Sequence, residues 1–387
     1  MTKVSTDLHI PTQNNNLTTD SKLSVEIITD PNRLHLLHEE WDALYDKADS
    51  PYFTQSFEWN WCCWQTVSES KGDKLHCLIV REQGQAVLIW CLVIRKKHRF
   101  WSAASPLALV SGEYSNILVD KTKDRRALKE LALQKLMTNC PVDLIELPNI
   151  RADSTLYQVA GNLNPIQLST TVAPYVSWQN HPNWESYYQT LSKHFRYNVS
   201  RRYRKLAELG TLTFEMLGGN DAYQEELEWL IKTKLNWAVT KNKQWSSAVS
   251  RDMNFLSSII SYAGEHGRMA ICVLKLNGKP IAGRLLCINK TQVEFVMIVH
   301  DPEYATYSPA QIITEHCIKW AFDQHLNVDF SLGNSAHKYN WATDECEVVS
   351  YKICRSTFGK CFVLLKTIYR KLIHYFFKTK YWLKSHI

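Results

Sequence analysis

Six basic residues and no acidic residue lie between Lys193 and Lys205. Four arginines, Arg196, Arg201, Arg202 and Arg204, belong to this run, together with Asn198. The planar guanidinium group donates two parallel hydrogen bonds and therefore suits phosphate and carboxylate oxygens. Composition alone favours a solvated basic face, which is common on surface helices, over a binding surface.

Three ionisable residues belong to two consecutive predicted strands. Arg284 interrupts an apolar strand, so it either faces an anion in a cleft or emerges on the solvent side. His300 ends the next strand and has the side chain best suited to remove a proton near neutral pH. Glu294, on the same strand, is a lesser candidate base. A single histidine at a strand end is more often structural than catalytic.

A second polar cluster follows a short predicted strand that ends at Asp329. Gly333 permits a tight turn, after which Lys338 and Tyr339 follow. Side chains at the carboxyl ends of strands in open α/β sheets face the crevice that binds ligands. Asp329 can equally accept backbone N–H bonds within the turn.

Composition and the spacing of the cysteines exclude several classes of protein. The eleven cysteines are odd in number and none are in Cys-x-x-Cys spacing, which argues against a zinc site and predicts no metal. Residues 1–22 are polar, without the apolar segment of a secretory signal, and predict a disordered leader. The longest apolar run, Val87 to Ile94, is too short for a transmembrane helix. A reducing cytosolic location fits these features.

Three structural units occur twice in the same order. The offset is 187 residues from Ser24 to Thr211, 194 from Gly84 to Gly278 and 186 from Asp143 to Asp329. These positions lie in a strand followed by a helix, in a hairpin turn, and in a strand after a helix. The repetition predicts a duplicated α/β domain. Between the copies, Trp184 to Leu209 has helical periodicity and predicts one long helix ended by Gly210.

The order of elements resembles a GNAT acyltransferase, and the chain is similar to doubled GNAT proteins of the CelD-like and FemAB-like type over about residues 23–360. The motifs that carry the resemblance are FEWNWCCW (57–64), LVIRKK (92–97), SGEYSNILVD (111–120), LSKHFRYNVSRRYRKLAELG (191–210), LNGKPIAGRLL (276–286), YATYSPAQIITEHCIKWAF (304–322) and DFSLGNSAHKYNW (329–341).

The resemblance implies an α/β (α+β) fold with a tandem pair of GNAT domains, each a mixed central sheet flanked by helices. The predicted division is a leader at 1–22, an N-terminal GNAT-like domain at 23–180, a connecting basic helix at 181–210, a C-terminal GNAT domain at 211–360 and a basic amphipathic helix at 361–387.

The resemblance also implies a function. GNAT enzymes transfer an acyl group from a coenzyme A thioester, most often acetyl-CoA, to an amine or hydroxyl acceptor. CelD-like members are linked to exopolysaccharide or cell-envelope biosynthesis, which predicts a small-molecule, glycan or envelope-precursor acceptor. FemAB members instead use aminoacyl-tRNA to build peptidoglycan cross-bridges, so tRNA is the one nucleic acid to consider. A non-catalytic binding protein with a degenerate GNAT fold is a third interpretation.

Several site residues follow from the family pattern. A backbone N–H between Met297 and Val299 would stabilise the thioester oxygen. The turn at Tyr307, Ser308 and Ala310 would hold the pyrophosphate, although it lacks the usual Gly-x-Gly sequence; Ser at the N-cap and Pro at N1 leave N–H groups for an anion. The family has basic residues near Arg196, Asn198 and Arg201, and Lys338 matches its conserved lysine, which predicts contact with an anion.

The C-terminal segment differs in charge from the rest of the chain. Residues 348–387 contain nine of the 45 Lys and Arg residues and no Asp or Glu. Phe362 to Leu383 resembles an amphipathic helix with one aromatic and one cationic face, which suits the inner surface of an anionic membrane. Docking of the apolar face on the second GNAT domain is the alternative.

Overall fold

The computed structural model describes residues 23–98, 101–107, 114–123, 126–218, 223–241, 255–260, 262–263 and 267–365. The predicted leader at 1–22 and the part of the predicted C-terminal helix beyond 365 lie outside these ranges. Thirteen strands form one sheet: β1 Leu23–Ile28, β2 Lys74–Glu82, β3 Gln85–His98, β4 Trp101–Pro106, β5 Leu118–Val119, β6 Leu144–Arg151, β7 Ile166–Val176, β8 Leu212–Gly218, β9 Met269–Leu276, β10 Lys279–Ile288, β11 Gln292–His300, β12 Asn327–Asp329 and β13 Asp344–Cys354.

Helices cover both faces of the sheet. Those used below are α1 Pro31–His35, α2 His38–Lys47, α3 Phe57–Cys63, α4 Arg126–Asn139, α5 Tyr157–Ala160, α6 Trp184–Thr190, α7 Lys193–Ala207, α8 Gln224–Lys241, α9 Pro309–Asp323 and α10 Ala336–Tyr339.

The two halves of the sheet mirror each other and exchange their last strands. The order is β1-β2-β3-β4-β6-β13-β7-β12-β11-β10-β9-β8, with β5 paired to β3. In each half one parallel pair, β4 with β6 or β11 with β12, interrupts the antiparallel pairing. Strand β7 of the N-terminal half pairs with β12 of the C-terminal half, whereas β13 pairs with β6. The exchanged strands also pair with each other, so the sheet is continuous across the molecule.

Both predicted hairpins are present, and their turns explain why the sequence folds this way locally. Gln83 and Gly84 have φ of 52° and 85°, and Asn277 and Gly278 have φ of 49° and 77°. Two consecutive residues with positive φ match the twist of antiparallel strands, and Asn-Gly is the sequence that most readily adopts this conformation. These turns fix the registers of β2 with β3 and β9 with β10.

The single long helix predicted from Trp184 to Leu209 is wrong. The chain forms α6 and α7, because Leu191 is extended with ψ of 146° and ends α6. The Ser192 side chain then accepts a hydrogen bond from the Phe195 N–H and caps α7. Apolar periodicity continues across the break, which is why the pattern alone did not reveal it.

One apolar core joins the two halves. It includes Leu34, Trp41 and Phe57 from α1 to α3, together with Leu230 of α8 and Met297 of β11. Helices α4 and α5 cover the opposite face of the N-terminal half, and α6, α7 and α9 cover that of the C-terminal half. The shared core makes the two halves pack as one body.

The start of the predicted C-terminal helix lies against the N-terminal half. Val363 is buried with Trp101 and Leu144, and the Phe362 ring lies 4.2 Å from that of Trp101. Leu365 is exposed. No helix in the described ranges combines the length and hydropathy needed to cross a bilayer.

Candidate functional site

The C-terminal half opens where β11 and β12 separate. The two strands pair in parallel only from Gln292 to Glu294, and β11 then continues to His300 beyond the end of β12. The register of β11 against β10 shifts at Val296, since Met297 faces Leu285 and Phe295 faces Leu286. A bulge of this kind bends a strand and changes the direction of its backbone groups.

A cleft of about 1250 Å³ occupies this opening. Its walls come from α8, from the amino-terminal turns of α9, from β11 and from the segment after β12. Among the predicted site residues, the cleft is lined by Arg284, Met297, Val299, His300, Ala310 and Lys338. Positions taken from four separate parts of the sequence therefore meet at one site.

Arg284 lies at the side of the cleft that faces α9 and is only 7% exposed. Its Nη2 donates to Thr314 Oγ1 at 2.8 Å, and its Cζ lies 4.3 Å from the centre of the Phe295 ring. Burial lowers the pKa of Arg284 to about 10. Even so, the side chain stays charged at neutral pH.

Lys338 also lines the cleft and is held by two backbone carbonyls. Its Nζ donates to Ser331 O at 2.9 Å and to Leu332 O at 2.5 Å. Burial lowers the pKa of Lys338 to about 8; Asp329 opposes this shift and Arg284 adds to it. The pKa of neighbouring His337 is also lowered, first by burial and then by Lys338 and Arg284. The cleft therefore has a cationic interior suited to an anionic ligand.

The predicted pyrophosphate turn stands at the amino terminus of α9. Ser308 is left-handed, with φ of 50°, and Pro309 is the first helical residue. The N–H of Gln311 donates to Ser308 O, and Ala310 lines the cleft. Tyr307 and Ser308 do not line it, although they precede the helix directly. The positive end of the helix dipole therefore faces the cleft edge at Ala310.

Comparison with known proteins relates part of the chain to a known domain and the whole chain to a known fold. Residues 193–339 match the model of the acetyltransferase (GNAT) domain. The structure of FemX superposes with a TM-score of 0.56 at 12% identity, over 84% of this chain and 96% of that one. Residues 193–339 therefore match a GNAT domain, and the chain as a whole has a FemAB-like tandem GNAT fold. The predicted recognition and fold class are thereby confirmed.

Two further structures superpose on most of this chain. The C-terminal domain of a predicted lysylphosphatidylglycerol synthetase from Agrobacterium fabrum superposes with a TM-score of 0.52 at 10% identity, covering 87% of this chain and 96% of that one. A conserved protein of unknown function from Bacteroides thetaiotaomicron VPI-5482 gives 0.51 at 10% identity, covering 85% and 100%. No curated protein matches the chain by sequence.

Glu294 of this tandem GNAT protein does not line the cleft. It is 6% exposed and accepts hydrogen bonds from Phe53 N at 3.3 Å and Gln292 Nε2 at 3.5 Å. Burial and, less strongly, the Asp329 carboxylate raise the pKa of Glu294 to about 7. The Phe53 contact places this carboxyl at the junction between the two halves.

Asp329 also belongs to the junction and lies outside the cleft lining. It is 1% exposed and accepts from Arg151 Nη1 at 2.6 Å, Tyr114 OH at 3.0 Å and Ser331 N at 2.6 Å. Tyr339, predicted to bind substrate, is exposed and donates to Glu345 Oε2 at 2.5 Å. Its hydroxyl therefore points to a surface carboxylate.

Helix α7 lies beside the cleft rather than in it. Arg196 Nε donates to Leu191 O at 3.2 Å, and Asn198 Nδ2 lies 2.8 Å from His194 Nε2. Arg201 is exposed. The link to the GNAT cleft comes from Arg202, whose Nη1 donates to the Gln311 side chain at the start of α9.

One wall of the cleft, formed by α8, was not predicted from the sequence. Trp229, Thr233, Asn236, Trp237 and Thr240 line the cleft and recur at helical spacing. Lys234 Nζ lies 4.8 Å from the Trp237 ring centre, and 49% of Trp237 is exposed. Exposed tryptophan and polar residues on a single helical stripe were the available signal.

A cluster of possible metal ligands exists among the described residues, at His38, Asp42 and Glu58. The Arg268 guanidinium occupies this cluster, donating to Asp42 Oδ1 at 2.9 Å and Glu58 Oε1 at 2.7 Å. Its positive charge disfavours a cation there. The cluster instead joins the residue that precedes β9 to α2 and α3.

Proposed function

We propose that this protein is an acyltransferase that moves an acyl group from an acyl-CoA, with acetyl-CoA as the simplest donor, to an amine or hydroxyl acceptor. The observation that carries the proposal is the cleft between β11 and β12, which contains Arg284 and Lys338 and meets the amino terminus of α9. Anionic donors suit such a site because of its charge and because helix amino termini bind phosphates.

The donor would extend along the open part of β11. The first turn of α9 would hold the pyrophosphate through the Ala310 N–H and the positive end of the helix dipole, since the Gln311 N–H already donates to Ser308 O. The segment from Met297 to Val299, which follows the bulge, would supply an N–H to the thioester oxygen. The acceptor would then bind against the wall of the cleft that α8 forms.

The reaction needs a base and a proton for the leaving group. His300 lines the cleft at the end of β11 and would accept the proton of the attacking amine or hydroxyl. A new C–N or C–O bond then forms as the C–S bond breaks. The thiolate of coenzyme A takes up a proton and leaves as the free thiol.

Isothermal titration calorimetry of the full chain with acetyl-CoA tests donor binding. An assay of coenzyme A thiol release in the presence of amine and sugar acceptors then tests the reaction. A ligand at one hundred times its dissociation constant should also stabilise the native state by about 2.7 kcal/mol. Binding of several acyl-CoA thioesters, together with acceptor-dependent thiol release, is the expected result. Absence of binding by every thioester at millimolar concentration contradicts the proposal.

Aminoacyl-tRNA is a second candidate donor, supported by the FemX likeness and by the position of α7. Exposed basic residues of α7 adjoin the start of α9, which Arg202 contacts. A basic surface beside the cleft suits tRNA phosphates, and binding should then weaken steeply with salt. Filter binding of aminoacyl-tRNA decides between the two donors. If aminoacyl-tRNA is the donor, the wild type should bind it and the charge-reversed variant Arg201→Glu should bind it more weakly. If acyl-CoA is the donor, no such binding is expected.

Assignment to exopolysaccharide or envelope biosynthesis stays a prediction based on the CelD-like resemblance. If the chain binds neither thioesters nor tRNA, the interpretation as a non-catalytic binding protein takes precedence.

A further inference from the structure

The buried side of the cleft contains a guanidinium whose hydrogen bonds are incomplete. Arg284 Nη2 donates to Thr314, but its buried Nε has no hydrogen-bond partner. None of the carboxylates in the described ranges forms an ion pair with Arg284. Burial without a counter-ion destabilises the charged form of an arginine, so this arrangement has an energetic cost.

Neighbouring charges increase that cost. Lys338 and His337 line the same cleft and each interacts unfavourably with Arg284. Asp329, whose charge acts on Lys338, is already paired with Arg151. A ligand that brings a negative charge would pair with Arg284 and relieve its repulsion with Lys338.

The surroundings favour a small planar anion. The guanidinium lies between the Phe295 ring and the Thr314 hydroxyl, which itself donates to Ala310 O at 2.6 Å and is thereby fixed. Thr314 is one turn deeper along α9 than Ala310, so Arg284 lies below the helix end rather than at it. One edge of a guanidinium can bind either a carboxylate or a phosphate, and the carboxylate is the smaller group and suits this buried position better.

We propose that Arg284 binds a carboxylate carried by one of the two substrates, so that the enzyme acts on an acidic acyl group or an acidic acceptor. This inference rests on the proposed acyl transfer. Arg284 would then select the substrate, while His300 and the β11 backbone would act at the reacting carbonyl. The same carboxylate could come from the donor or from the acceptor, and two matched comparisons distinguish these sources.

The donor comparison uses succinyl-CoA and butyryl-CoA, which have acyl chains of equal length and differ in the terminal carboxylate. Titration of the wild-type full chain should give about ten- to a hundredfold tighter binding of succinyl-CoA if the donor is acidic. Arg284→Gln should remove this preference. Arg126→Gln, which changes an exposed arginine paired with Glu130 on α4, is the matched control and should preserve it.

The acceptor comparison uses propionate and propanamide, titrated into protein saturated with acetyl-CoA. Binding of propionate but not propanamide, lost in Arg284→Gln, assigns the carboxylate to the acceptor. If Arg284 has no part in carboxylate binding, neither comparison will show a preference that depends on this residue, and the inference is overturned. An equal loss of affinity for acetyl-, butyryl- and succinyl-CoA in Arg284→Gln also overturns it, because Arg284 would then serve the coenzyme A phosphates.

A third measurement uses no substrate. A purely structural arginine should destabilise the fold when replaced, whereas Arg284→Met removes an unpaired buried charge and should not lower the melting temperature of the free protein. A large decrease in that temperature contradicts the inference. If no thioester binds at all, the proposed function fails, but propionate binding to the free protein still tests Arg284.

Discussion

Arg151 Nη1 lies 2.6 Å from Asp329 Oδ2, and this buried ion pair joins the last residue of β6 to the last residue of β12. The two strands belong to opposite halves of the sheet. Arg151 also pairs with Asp153, and its Cζ lies 5.2 Å from the centre of the Tyr114 ring. The pair therefore fixes the junction between the halves at the site of strand exchange.

Replacing Asp329 by Asn should destabilise the whole molecule. The change keeps the shape but removes the buried one of the two carboxylates that compensate Arg151, the other being Asp153. Breaking a buried ion pair costs about 3 to 5 kcal/mol. The free energy of unfolding in urea measures the effect. Glu130→Gln is the control, because Glu130 pairs with an exposed arginine and should change stability by less than about 1 kcal/mol. Similar losses in the two variants would contradict the role of the junction.

Glu294 predicts a pH dependence of stability. Its pKa is raised from 4.5 to about 7 in the folded protein, so the native state binds its proton more tightly than the unfolded chain does. Its contribution is therefore fully present below about pH 4.5 and is lost as pH rises through about 7. Relative to Glu294→Gln, the wild type should lose about 3 kcal/mol between pH 5 and pH 8. If the unfolding free energies of the two proteins change in parallel with pH, Glu294 does not have this effect on stability.

Lys338 should act in binding rather than in folding. Lys338→Ala should keep the fold, since α10 is a short exposed helix, yet remove most acyl-CoA binding. The lysine charge is lost as pH rises through about 8, so wild-type affinity for acetyl-CoA should fall between pH 7 and pH 9. Lys338→Arg should give a flatter profile. Titration calorimetry measures these affinities, with exposed Lys319→Ala as the control; unchanged binding in folded Lys338→Ala rejects the role.

The C-terminal segment can be tested with a truncation that the packing defines. Phe362 and Val363 contact the N-terminal half and should be kept, so the shortened protein should end at residue 365. If residues 366–387 bind an anionic membrane, the full chain should sediment with anionic liposomes, less so at high salt, and the truncated chain should not. Equal sedimentation of the two proteins, or of neither, rejects membrane binding.

Local signals in the sequence predicted much of the order of elements. The turns at Gly84 and Gly278 fixed two hairpins, since positive φ at two consecutive positions has few alternatives. Alternating and helical periodicity located the strands and helices that pack on one core. The family motifs added the tandem GNAT assignment, which the fold confirms.

Long-range relationships were beyond reach from these local signals. The exchange of β7 and β13 depends on pairing between residues far apart in sequence, for which periodicity carries no information. The break at Leu191 depends on one extended residue and a serine cap within a continuing apolar pattern. Likewise, Arg284 and Glu294 lie on neighbouring strands with similar apolar flanks, and only the three-dimensional arrangement places one in the cleft and the other at the junction.

The most direct test of the proposed acyl-donor site is a crystal structure of the full chain with a non-hydrolysable acetyl-CoA analogue. The account predicts that the acyl end lies between β11 and β12, beside Met297 and near Lys338, with the pyrophosphate at the first turn of α9. An analogue bound outside this cleft, or no bound analogue at saturating concentration, would contradict it.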